Sequence, residues 1–117
     1  ASGWSAPRSF AVRGMVRDPA FSPDGTLLAF ENKRGGDPTG RWNERSYEWS
    51  FIGVYDFAKS AISYVDPAFS RDSDLRWEDA RTLSFTRRVE GLPDERLSRP
   101  ALKADAPLKG QKATLAK

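Results

Sequence analysis

Four carboxylates crowd one short stretch of this chain: Asp72, Asp74, Glu78 and Asp79. Oxygen donors of that kind suit Ca²⁺, which takes about six to eight oxygens from a regular loop. These four fall short of that number and sit in no regular loop, so they read as an acidic surface and no metal site is expected. No cofactor is expected either. The chain has no His and no Cys. That removes a Ser-His-Asp triad, a Cys nucleophile, a disulfide and every thiolate or imidazole metal site together. Acid–base and nucleophilic catalysis therefore lack their usual carriers, and the expectation is a protein without catalytic residues.

The remaining candidates are surfaces. The segment "GGDPTGRWNERSYEWS", 35–50, separates two strand-like runs and places Trp42, Tyr47 and Trp49 beside Arg45. Trp, Tyr and Arg anchor interfaces, which makes these four an expected contact surface. The competing reading is that the aromatics fold back over a sheet, as large apolar side chains usually do. Arg34-Gly35-Gly36 has the letters of an RNA-binding element, and Arg87-Arg88 is a basic pair. RNA-binding segments repeat such motifs and interleave them with aromatics, so one occurrence at a strand end reads as a turn.

The elements that would hold such a surface are strands. "TLLAFENKR" (26–34), "SFIGVYDFA" (50–58), "AISYVD" (61–66) and "RTLSFTRRV" (81–89) are rich in branched and aromatic residues. The two-residue link Lys59-Ser60 predicts a hairpin. The run 50–58 does not alternate strictly, which predicts a strand covered on both faces. No window carries a 3.6-residue stripe, so helix is at most a minor element. Ser22-Pro23-Asp24-Gly25 is a structural turn. Pro23 presets φ, Asp24 suits the next position, and Gly25 supplies a left-handed residue.

Length and charge bound the rest. A chain of 117 residues can bury one modest core. Its net charge of +3 comes from 19 basic and 16 acidic residues with both signs interspersed. That distribution is not a nucleic-acid footprint, so neither nucleic acid nor membrane is expected as a partner. Three zones are expected: an entry segment 1–16, a β region 17–89, and an extended tail or linker 90–117 with Pro93, Pro100 and Pro107.

"DPAFSPDGTLLAF" (18–30) returns in altered form as "DLRWEDARTLSF" (74–85). Asp18-Pro19-Ala20-Phe21 aligns with Asp74-Leu75-Arg76-Trp77, and Leu28-Ala29-Phe30 with Leu83-Ser84-Phe85. The second turn is one residue shorter, with Ala80 where Gly would stand. The pattern aromatic-Ser-Pro-Asp-Gly-x-x-Leu-x-Phe resembles the WD40-like β-propeller repeat of TolB and of the prolyl oligopeptidase and dipeptidyl peptidase families. The stretch "FIGVYDFAKSAISYVDPAFSRDSDLRW" is similar to the amino-terminal propeller of bacterial dipeptidyl peptidase-like enzymes.

The resemblance implies an all-β fold of antiparallel four-stranded propeller blades, one complete and one partial, with an irregular tail. It implies a non-catalytic part of a serine peptidase that limits substrate access, or else a TolB-like protein-interaction module. It also implies further blades or a hydrolase domain as partners, and a periplasmic or secreted location. No Gly-x-Ser-x-Gly elbow occurs here. Tyr47-Glu48-Trp49 is misplaced for the family's substrate-gripping glutamates and takes no such role. Because a propeller closes with about four to eight blades, the chain is expected to be a piece of something larger, or to self-associate.

Overall fold

The computed structural model describes residues 9–34 and 49–102. Among them the chain forms seven strands: β1 (Met15–Phe21), β2 (Leu27–Lys33), β3 (Phe51–Asp56), β4 (Ala61–Tyr64), β5 (Arg71–Trp77), β6 (Thr82–Arg88) and β7 (Glu95–Pro100). They make two antiparallel sheets with strand orders β1-β2-β3-β4 and β5-β6-β7. No helix occurs among the described residues. The sequence pattern is consistent with this. Branched and aromatic side chains pack well on a pleated surface, and turn residues interrupt them at short intervals.

The first corner has the expected chemistry. Gly25 is left-handed, at φ 74°, and its amide donates to the Ser22 carbonyl at 2.8 Å. One Asp24 carboxylate oxygen accepts from the Ser22 hydroxyl, the Thr26 amide and the Thr26 hydroxyl. These bonds hold the Asp24 carboxyl below the usual range, with Ser22 contributing most. Ser22 and Leu27 then close the hairpin through a 2.8 Å backbone bond. At the second corner Glu78 bonds Thr82 instead, a loop one residue shorter. Asp79 accepts from the Arg81 amide, and Ala80 is not left-handed. The turn has changed type rather than forcing Ala into a strained conformation.

Beyond the turns, the second sheet repeats the first. Phe21 pairs with Leu28 and Ala20 with Ala29; Trp77 pairs with Leu83 and Arg76 with Ser84. Each leading strand is interrupted by a bulge, between Arg17 and Ala20 in β1 and between Ser73 and Arg76 in β5. Each bulge contains a left-handed aspartate, Asp18 at φ 55° and Asp74 at φ 53°.

Cross-strand partners share a face. In the first sheet Leu27, Ala29, Ile52 and Val54 therefore lie on one side, and Leu28, Phe30, Tyr55 and Phe51 on the other. The first set packs with Leu83 and Phe85 of the second sheet, Val65 and Ala101, flanked by Leu75, Trp77 and Leu97. The opposite face is also closed around β3, whose six residues are all buried. Gly53 is required there: a Cβ would lie 2.5 Å from a Phe30 ring carbon.

Two expectations about architecture change. The all-β, antiparallel organisation holds, with one four-stranded sheet and a second of three. No closed propeller or barrel is formed by the described residues, so the blade assignment does not follow from the fold. Residues 95–100, expected to belong to an irregular tail, form β7. Its sequence, Glu-Arg-Leu-Ser-Arg-Pro, has a single apolar position, which hides it from pattern reading. Hydrogen bonding to β6 supplies the order, with Leu97 opposite Phe85 and the Ala101 amide bonded to the Arg81 carbonyl at 2.7 Å. The segments 1–8, 35–48 and 103–117 lie outside the described residues.

Candidate functional site

Ser50 joins the two sheets. It forms a parallel bridge with Arg71. Its amide donates to the Ser70 carbonyl at 3.1 Å, and its carbonyl accepts from the Asp72 amide at 3.2 Å. Its hydroxyl donates to the Asp72 carbonyl at 2.8 Å. This seam brings together one end of β1, β2, β5 and β6. A cleft of about 190 Å³ opens there, lined by Arg17, Glu31, Lys33, Ser50, Arg71, Ser73, Thr86 and Arg88.

Among the described residues, four cations therefore meet one acid. Arg17 is directly opposite Glu31, a favourable cross-strand pair. Arg71 is directly opposite Arg88, which sets two guanidinium groups side by side on one face. Arg88 is partly compensated by Asp94, at 3.2 Å on an exposed site. Glu31 is only 5% exposed. Burial pushes its carboxyl above the usual range, against the pull of Arg17 and Lys33.

Arg71 and Arg88 also border a second, larger cleft of about 480 Å³, with Trp49, Phe69, Ser70, Val89 and Glu90. Trp49 and Phe69 lie 5.4 Å apart, tilted by 42°, and Phe69 is 51% exposed. The two clefts thus run together as aromatic ground beside a basic strip. Beneath the strip, the fully buried Asp72 carboxylate is gripped by Arg87 at 2.9 and 3.0 Å and by the Ser70 hydroxyl at 2.8 Å. Burial raises the Asp72 carboxyl, and Arg87 opposes that rise. The arrangement is a scaffold: Arg87 is committed to Asp72 and Asp66 and leaves Arg88 to face the cleft.

A third cleft, of about 510 Å³, lies at the opposite end of the seam. Its lining mixes signs, Asp24 and Asp56 against Lys59 and Arg81, over Leu27, Ala101 and Leu102. Among the described residues no group of acids could hold a metal ion. Asp72 and Asp74, expected as surface acids, divide. Asp72 is buried in its ion pair, and Asp74 pairs with Arg96 at 3.0 Å. No helix among the described residues is long and apolar enough to cross a membrane.

Of the expected contact residues, Trp49 is half-buried and borders the larger cleft. Trp42, Tyr47 and Arg45 lie outside the described residues. Ser22, Pro23, Asp24 and Gly25 form the structural turn, away from the basic cleft. Sequence reading missed Arg17, Lys33, Arg71 and Phe69, because they are scattered along the chain, and it marked Arg88 only as half of the basic pair Arg87-Arg88. One signal was present. Arg71 and Arg88 lie at the two ends of a hairpin whose turn is recognisable, so strand pairing sets them face to face.

No family model matches the chain, and no solved structure matches it. Over 83 residues, 69% of its length, the chain is 39% identical to the B3 domain-containing protein Os06g0107800 of Oryza sativa subsp. japonica. The aligned region is 37% of that protein, so the chain spans little more than a third of its relative. This match corrects the resemblance drawn from the Ser-Pro-Asp-Gly corner. The similarity found is to a B3 domain-containing protein, not to TolB, to a prolyl oligopeptidase or to any hydrolase. The peptidase-accessory and TolB-like readings are withdrawn with it. The corner misled because its residues encode a hairpin, and hairpins of that geometry serve many β folds. The non-enzymatic half of the earlier expectation is in keeping with the match; the serine-peptidase half is not.

Proposed function

We propose that this chain is a non-enzymatic β domain that binds nucleic acid through the basic cleft at the sheet seam. The observation that carries the reading is the Arg71–Arg88 cross-strand pair, joined on one cleft by Arg17 and Lys33. Composition alone argues against such a partner, since acids and bases alternate along the chain. Folding changes that local balance. Asp66, Asp72, Asp74 and Asp94 are drawn into ion pairs with arginines, and among the described residues four cations, Arg88 with Asp94 as its partner, line a cleft whose one acid is the buried Glu31.

A phosphate backbone would bring negative charge to the side-by-side Arg71 and Arg88, and bases have aromatic ground beside it in Trp49 and Phe69. The name of the rice relative points the same way, a B3 domain being a DNA-binding type of β domain.

Binding of fluorescently labelled single-stranded and duplex DNA, followed by anisotropy, tests the reading. Four phosphate contacts predict an affinity loss of roughly 50- to 150-fold between about 50 and 200 mM salt. Arg17→Ala or Lys33→Ala should each reduce the salt slope by about one unit. Arg76→Ala, outside the cleft, should leave it unchanged. Absence of binding at low salt, or binding equally sensitive to Arg76, overturns the proposal.

A further inference from the structure

The two clefts at the basic end share Arg71 and Arg88, and their surroundings select one form of nucleic acid. A protein that reads duplex DNA presents a projecting helix or two-stranded ribbon to the major groove, about 12 Å wide. Among the described residues there is no helix. The hairpin tips 22–26, 57–60 and 78–81 gather at the other end of the seam, where Asp24, Asp56, Glu78 and Asp79 stand against Lys59 and Arg81. The tip between β6 and β7, 89–94, lies beside the larger cleft and carries Glu90 and Asp94. The projecting parts thus bring carboxylates with them, and the four cations line a recess instead.

We infer that the recess takes single-stranded nucleic acid, an unpaired base stacking on Phe69 while the phosphates pass over Arg71 and Arg88 towards Arg17 and Lys33. The inference rests on the nucleic-acid reading and narrows it. Phe69 is 51% exposed and walls the cleft of about 480 Å³ with Trp49, their ring centroids 5.4 Å apart. It stands two residues before Arg71, so the ring and the first cation are neighbours along the chain. A paired base keeps both faces against its neighbours in the helix and cannot offer one to the wall of a recess. An unpaired base can, because its strand bends freely and its π-face is open.

Anisotropy titrations of the full chain with three labelled probes test it. The first is a mixed-sequence DNA oligomer of about 16 nucleotides, the upper end of common single-strand site sizes. The second is the same oligomer carrying abasic sites, and the third is its duplex. A recess that met phosphates alone would favour the duplex, the more densely charged polymer. The expected order is instead the intact single strand ahead of the duplex, and ahead of the abasic oligomer by about fivefold or more. Phe69→Ala should remove that advantage with the salt slope and the circular dichroism spectrum unchanged, and Phe69→Tyr, which keeps a ring, should retain it. A duplex bound as tightly as the single strand overturns the inference and leaves the nucleic-acid reading standing. So does an abasic oligomer bound as tightly as the intact one, or a Phe69→Ala variant that keeps the advantage. Failure of all three probes to bind overturns that reading, and the inference with it.

Discussion

Asp18 and Asp74 hold the same left-handed backbone, φ 55° and 53°, in equivalent bulges of the two leading strands. Left-handed geometry costs an L-residue roughly 1 kcal/mol, less for Asp because its short side chain bonds locally. What differs is the carboxylate. That of Asp74 accepts from Arg96 at 3.0 Å and Arg76 at 3.4 Å, whereas Asp18 stands near the buried Glu31 and raises its carboxyl further. Asp18→Gly should therefore stabilise the fold by about 0.5–1 kcal/mol. Asp74→Gly should gain nothing or lose stability, because strain relief is offset by the lost Arg96 contact. Urea midpoints of the two variants, compared with the parent, decide it.

The Asp72–Arg87 pair makes the opposite prediction, of loss. Asp72 is fully buried and the Arg87 side chain is 11% exposed. Arg87→Met leaves a buried carboxylate without its cation and should cost about 3–5 kcal/mol. Asp72→Asn should cost less, since Arg87 retains Asp66 and the amide can still accept from Ser70. Equal losses in the two variants would show that the pair contributes packing rather than charge compensation.

The two corners were legible before the structure, because they follow from local chemistry. Proline and glycine fix the first turn, and the second is found by its likeness to it; the bulges that set the strand registers were not legible. The hand alignment of Asp18–Phe21 with Asp74–Trp77 is the observed structural equivalence. The burial of β3 on both faces was also legible, from its broken alternation. Neither β7 nor the basic cleft could be read. β7 has one apolar residue and is ordered by its neighbour. The cleft is assembled from Arg17, Lys33, Arg71 and Arg88, whose convergence depends on how one sheet sits on the other. The family assignment failed for a related reason: a turn motif reports backbone geometry, which unrelated β proteins share.

The two turns test the claim that Gly25 and Ala80 are not interchangeable in role. Gly25→Ala should destabilise by roughly 1 kcal/mol, through conformation alone, because a Cβ there meets nothing within 4 Å. Ala80→Gly should also destabilise, by about 0.4–1 kcal/mol, because Ala80 is not left-handed and glycine only loosens the unfolded chain. A stabilised Ala80→Gly variant would mean that the second corner carries the strain its sequence suggests. Thermal melts suffice.

The buried Glu31 fixes the sign of a pH effect. Burial lifts its folded carboxyl above the ordinary value, so in the window between the unfolded and folded values the native state holds more protons than the unfolded chain. Stability from this group is complete below the unfolded value, about pH 4, and is lost as pH rises through the folded one. Asp72 is shifted the same way and stays in place in both proteins compared. Glu31→Gln removes only the Glu31 contribution. The variant should gain stability relative to the parent on going from about pH 3 to about pH 7, with urea midpoints as the readout. Should the parent instead gain on the variant over that interval, Arg17 and Lys33 outweigh burial. The cleft would then be less cationic than its lining suggests, and nucleic-acid binding would weaken as its acid ionises.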